Sequence, residues 1–143
     1  MKTATIGADP KFPIHGHAAH QGPRAAGRLR LHRADTYWAR LLGLHAYRRL
    51  PWHAGLYLAP CKAVHTMGLR YAIDVVFLDR HRRVIRRRDS LPPWRWAACL
   101  RAASVVELPA GYCAAYADWK QALELALHRL SLGQQSLNAQ PDN

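Results

Sequence analysis

Apolar positions along this chain fall into alternating and helical stretches separated by proline and glycine. Leu29 and Leu31 alternate with Arg30 and His32, the period of a half-buried strand. Tyr37, Trp38, Leu41, Leu42 and Leu44 recur at spacings of one, three and four, which predicts a helix over 37–42, with Asp35 or Thr36 as its cap and an end near Gly43. After the Leu50-Pro51 break, residues 55–58 form a short apolar run. Residues 73–78 read IDVVFL, β-branched and aromatic, the clearest strand signal in the chain. Residues 84–88 follow so closely that the two runs predict an antiparallel hairpin across 79–83. The LPPWRW segment of residues 91–96 must interrupt regular structure, because two prolines remove two donors and fix φ. Residues 103–108 give another strand, closed by Pro109-Ala110-Gly111. Beyond it Tyr116, Trp119, Leu123, Leu127 and Leu130 lie three or four apart, predicting a helix over 114–130 that packs this stripe on the sheet.

Outside these runs the pattern vanishes. Residues 1–28 contain Pro10, Pro13 and Pro23 and four glycines without a buried period, and read as a flexible arm. Its His15, His17 and His20 have a spacing that can chelate, but histidines in such tails are usually incidental, and no metal or cofactor is expected. The polar run 133–143 reads as a tail. Residues 29–132 are left as a single globular domain of the α+β class, with a mainly antiparallel sheet of about five strands and flanking helices, one of them C-terminal. A chain of 143 residues can bury a core of that size without disulfides.

The segment between Gly43 and Gly111 carries a series of motifs in order: Gly43-Leu44-His45, Leu50-Pro51, Gly55-Leu56-Tyr57-Leu58, Ala72-Ile73-Asp74-Val75-Val76-Phe77-Leu78-Asp79, and Val106-Glu107-Leu108-Pro109-Ala110-Gly111. They resemble a bacterial and archaeal family known as domain of unknown function 192, or uncharacterised protein family 0127. Val64-His65-Thr66 with Arg70 and Ile73-Asp74, and Leu91-Pro92-Pro93-Trp94-Arg95 after the hairpin, resemble one branch of it. The resemblance implies a compact, mainly antiparallel sheet of barrel-like form, with helices outside, and implies no established activity, cofactor or substrate. Three positions depart from the family pattern. Arg82 stands where the hairpin turn usually has glycine, Ala72 where proline precedes Ile73, and His45 where methionine follows Gly43-Leu44.

Charge adds a question about partners. The net charge is +12, almost entirely from arginine, a skew that either an anionic partner or a GC-rich genome produces. Cys61, Cys99 and Cys113 are an odd number, which argues against a secreted disulfide scaffold, although a Cys61–Cys99 bridge stays open beside free thiols and weak metal binding. The first residues lack the apolar run of a signal peptide and no run is long enough to span a membrane, so a cytoplasmic protein is expected.

The least ordinary cluster is His65, Thr66, Arg70 and Asp74, polar groups entering an apolar strand. Buried alone, Asp74 would cost several kcal/mol, so pairing with Arg70 or His65 is expected. The cluster reads either as a structural network or as a pocket for a small polar or anionic ligand. The pattern points to a non-enzymatic binding or accessory module with a polar pocket near His65–Asp74. One alternative is nucleic acid or another anionic surface bound by Arg82, Arg83, Arg86, Arg87 and Arg88, against which strand alternation argues, since it sends Arg87 to the face opposite Arg86 and Arg88. The other is a metal-dependent or hydrolytic enzyme, for which no nucleophile motif stands beside His65 and no catalytic residue is assigned.

Overall fold

The computed structural model describes residues 26–34 and 50–138. In chain order the described elements are β1 (Arg30–Ala34), β2 (Ala54–Leu58), β3 (Ala63–His65), β4 (Ile73–Leu78), β5 (Val84–Leu91), β6 (Trp96–Ala98), β7 (Ser104–Pro109), α1 (Tyr112–Ala115) and α2 (Trp119–Asn138). Five strands form one sheet in the order β1-β2-β7-β4-β5, and β3 and β6 pair as a separate two-stranded ribbon. β1 runs parallel to β2, and every other pairing is antiparallel.

The composition of β4 and β7 explains their central place. Both are runs buried at all six positions, as strands covered on both faces must be. On one face Tyr57, Val76, Leu78, Val106 and Leu108 receive Trp119, Leu123 and Leu127 of α2, the stripe expected from the sequence. On the other, Leu56, Leu58, Ile73, Val75, Phe77 and Val105 pack beneath the ribbon through Val64 and Ala97, with Leu50 and Leu69 at its margin. Gly55 is required at the crossing of β1, β2 and β7, since a Cβ there would stand 2.8 Å from the Leu31 and Leu108 side chains and 3.0 Å from the Glu107 carbonyl.

The sheet does not close into the barrel that the resemblance implied. β1 and β5 are its two edges, and the β5 edge is guarded by exposed arginines in place of a further strand. The expected hairpin is present, with its turn solved differently from the family pattern. Arg82 adopts φ 61°, the left-handed backbone that glycine would take freely. The Asp79 carboxylate accepts the N–H groups of His81 and Arg83 at 2.8 and 2.9 Å, bonds that hold its carboxyl below the usual carboxylate range. Arg82 itself donates to the Leu127 carbonyl at 3.2 Å and to the Ser131 hydroxyl, and lies over the Tyr57 ring, so the strained turn is tied to α2.

Two further differences have local causes. The helix expected over 114–130 is split at Tyr116–Asp118 into α1 and α2, and α2 runs past Gly133, where a bond of 2.6 Å from Arg33 to Gln134 anchors its later turns to β1. The ribbon strands β3 and β6 were not foreseen, being three residues each and too short to show a period. The helix expected over 37–42 lies outside the described residues. No described helix is long and apolar enough to cross a membrane.

Candidate functional site

Asp74 sits on the α2-facing side of β4, fully buried. Its carboxylate accepts three backbone N–H groups, from Ser90 at 2.8 Å, Gly111 at 2.9 Å and Cys113 at 3.0 Å. Gly111 reaches this position with φ 82° and opens α1, so Asp74 collects the free amides at that helix's start. The expected pairing with Arg70 or His65 does not form, because both of those side chains are exposed while Asp74 is sealed. Backbone donors satisfy the buried charge instead.

Thr66 is equally sealed and is a hub for the segment after β5. Its hydroxyl donates to the Pro92 carbonyl at 2.6 Å and accepts from the Arg95 N–H at 2.9 Å, and its backbone groups bond Arg95, Trp94 and Leu69. Such bonds explain how the two prolines and Trp94, at φ 58°, are held in place. Of the four residues singled out in the sequence, Asp74 and Thr66 are thus inside the fold, His65 faces solvent on β3, and Arg70 stands at a cavity.

That cavity has a volume of about 470 Å³ and is lined by Leu50, Trp52, Arg70, Tyr71, Pro109 and Ala110 among others. Its size is that of small-molecule sites, and Arg70 is the charged group of its described lining. Trp52 is held by an indole N–H bond to the Tyr116 hydroxyl and by tilted contacts with the Tyr112 and Tyr116 rings. Two buried side-chain atoms among the described residues lack any hydrogen-bond partner, Glu107 Oε2 and the Tyr112 hydroxyl. Neither is among the residues that line this cavity. Tyr112 packs on Trp52, and Glu107 shares its strand face with Pro109, two residues on. Burial pushes the Glu107 carboxyl up to about 8 and the Tyr112 hydroxyl up to about 12. Tyr71, in the cavity wall, is raised by burial and then by the charge of Glu107. The sequence reading passed over Glu107, although the signal applied to Asp74, an acid inside an apolar strand, was present in SVVELP as well.

The remaining candidates have partners within the fold. Asp74, Asp89 and Cys113 place one ligand atom each within 4.8 Å of one another. Asp74 is already occupied by its three donors and Asp89 by Arg87. Burial and the Asp74 charge push the Cys113 thiol up to about 12, away from the thiolate that a metal needs. No disulfide joins Cys61, Cys99 or Cys113, so the Cys61–Cys99 bridge is not formed. The hairpin arginines do not share one surface. Arg87 lies over Trp119 on the α2 side, Arg86 donates to the Ala98 carbonyl on the ribbon side, Arg83 pairs with Asp79, and Arg82 is drawn to α2. A different basic surface is assembled by the fold. A groove of about 520 Å³ between β1 and α2 gathers Arg28, Arg30, His32, Arg33 and Arg129 over an apolar floor, from segments about a hundred residues apart.

Comparison with known proteins gives a family and a fold. Residues 19–117 match the family model DUF192, Uncharacterized ACR, well over half of the chain. A search of curated proteins finds no match. A crystal structure of a protein of unknown function from Novosphingobium aromaticivorans DSM 12444 is similar in fold, with a TM-score of 0.54 and 19% identity. The likeness covers 60% of this chain and 66% of that one, just under two thirds of its length.

Proposed function

The chain belongs to the DUF192 family, Uncharacterized ACR, and on its own geometry we propose that it is a binding module whose small ligand occupies the cavity beside Arg70. The observation that carries this reading is the pairing of an apolar, aromatic-walled cavity with one guanidinium in its described lining. Trp52, Tyr71 and Leu50 offer contact area, while Arg70 offers a directional partner for a carboxylate or phosphate. Of the polar pocket expected near His65–Asp74 this reading keeps Arg70, joined by Tyr71 and Ala72 and by Leu50, Trp52, Pro109 and Ala110, while His65 is not in the lining and Thr66 and Asp74 are sealed within the fold. Phenylacetate is a suitable first probe. Its addition should shift the Trp52 indole signal in NMR spectra, and Arg70→Ala should weaken binding by about tenfold or more, the worth of a charged hydrogen bond. Equal binding by parent and variant would remove Arg70, and with it the proposed site.

A second reading, nucleic-acid binding, is supported by the basic groove between β1 and α2, whose described lining includes no acidic residue. Arginines at such a concave face release counterions when they meet phosphates, so affinity for a single-stranded oligonucleotide should fall steeply with salt. Arg30→Ala and Arg129→Ala should each lower the salt slope by about one, and Arg86→Ala should leave it unchanged. A flat salt response in fluorescence anisotropy would discard this reading.

A further inference from the structure

We propose that the outer face of the β3–β6 ribbon docks the molecule on an anionic lipid bilayer, with Met67, Trp94, Trp96 and Leu100 entering the interface and the surrounding cations meeting the headgroups. None of these four side chains lines the cavity beside Arg70, so this surface stands independently of the cavity reading.

The ribbon has one face for the core and one for solvent. Val64 and Ala97, opposite each other in the register, are buried against the sheet, so the alternate pairs Ala63–Ala98 and His65–Trp96 point outward. Past the His65–Trp96 pair, the Trp94 N–H donates to the Thr66 carbonyl at 3.1 Å, which sets Trp94 at the ribbon end where the exposed Met67 follows Thr66. Past the Ala63–Ala98 pair, the turn that bonds the Ala102 N–H to the Cys99 carbonyl presents Leu100. At 64%, 74% and 83%, Trp94, Trp96 and Leu100 are the three most exposed large apolar side chains among the described residues, and all belong to this one ribbon and its turn. Apolar groups gathered in this way mark an interaction surface. The backbone points the same way. Trp94 holds φ 58°, a left-handed conformation that costs any residue but glycine, and Thr66 fixes it and Arg95 through backbone and hydroxyl bonds. The fold thus strains a tryptophan to present it to solvent.

Charge and residue type identify the partner. Lys62, Arg95 and Arg101 are exposed on or beside the two strands, and Arg86 reaches the ribbon by donating to the Ala98 carbonyl at 3.0 Å. No acidic residue occurs in 59–73 or 90–106, the segments that carry the ribbon. Asp89, just before the second of them, is paired with Arg87. A surface bearing phosphates is the complement of such a rim. Met67 and Leu100 decide which one. Bases stack on the two indoles but gain little from a thioether and an isobutyl group, whereas all four side chains leave water at a bilayer interface. Tryptophans at headgroup depth, aliphatic groups beside them and cations around them supply the apolar and electrostatic contributions that peripheral binding combines.

Vesicle sedimentation with the full chain at about 0.1 M salt tests the proposal. Vesicles that mix phosphatidylglycerol with phosphatidylcholine should bind the chain, and phosphatidylcholine alone should not. Trp96→Ala and Leu100→Ser, at opposite ends of the ribbon, should each weaken binding by about tenfold. Lys62→Gln should weaken it by about fivefold, and Arg129→Ala, on α2, should leave it level. Brominated acyl chains in the mixed vesicles should quench the parent's tryptophan fluorescence, a readout that needs no variant. Vesicle binding that neither Trp96→Ala nor Leu100→Ser weakens, without quenching, would assign it to net charge and overturn the ribbon's role. If vesicles do not bind and Trp96→Ala instead weakens binding of a single-stranded oligonucleotide, the face is a nucleic-acid platform. A dimer in sedimentation velocity that Trp96→Ala dissociates, again without vesicle binding, would make it an interface between copies. Either result, or the plain absence of vesicle binding, removes the bilayer as the partner.

Discussion

Asp74 and Glu107 lie on neighbouring strands, and both side chains are removed from water. Asp74→Ala would strand the amides of Ser90, Gly111 and Cys113, each worth about 1–3 kcal/mol when left buried and unpaired. A loss of at least about 3 kcal/mol in urea denaturation is expected. Asp74→Asn should lose less, because Oδ1 can still accept from Ser90 and Gly111 while the amide nitrogen faces only the Cys113 N–H. A negligible effect of the alanine would contradict this account. The need of Asp74 for partners was legible in the sequence; the partners themselves were not, because they are backbone amides. Such amides carry no signature of residue type, and charged side chains nearby in sequence drew the expectation toward Arg70 and His65. Glu107 was legible on the same grounds as Asp74 and was masked by its place in a motif read for its likeness to a family.

The hairpin and the ribbon differ in what holds them. The hairpin has two long strands, and sequence and structure agree over 73–78 and 84–88, although the register shifts twice along the pair and β5 runs on to Leu91. The ribbon has three pairs in register and depends on Thr66 to tie β3 to the segment entering β6. Thr66→Val keeps the shape and removes the hydroxyl, leaving the Arg95 N–H and the Pro92 carbonyl without it. It should cost about 1–3 kcal/mol and raise amide exchange at Trp94 and Arg95 ahead of global unfolding. Exchange rates equal to those of the parent would show that the backbone bonds of Thr66 suffice. Short strands such as β3 and β6 are set by this kind of tertiary bond, and periodicity has too few residues there to register. The end of α2 was missed for a related reason, since the Arg33–Gln134 contact joins residues 101 apart.

For the molecule as a whole, pH acts through Glu107. Its ordinary value of 4.5 is raised to about 8 in the fold, so between these limits the folded chain holds a proton that the unfolded chain has lost. The associated stability is fully present below about 4.5 and is lost as pH rises through about 8, with a slope of up to about 1.4 kcal/mol per unit. Thermal or urea unfolding from about pH 5 to 8 should show that decline, and Glu107→Gln should flatten it and exceed the parent at the upper end. A decline of the same size in the variant would assign it to other groups. The three donors of Asp74 have a different consequence, in time instead of energy. They lie 16, 37 and 39 residues along the chain, so the β4–β5 hairpin brings only the Ser90 donor and the other two wait for the segment after β7. The carboxylate of β4 is therefore fully satisfied only once β5, β7 and the start of α1 have converged on it, so its desolvation is tied to long-range contacts.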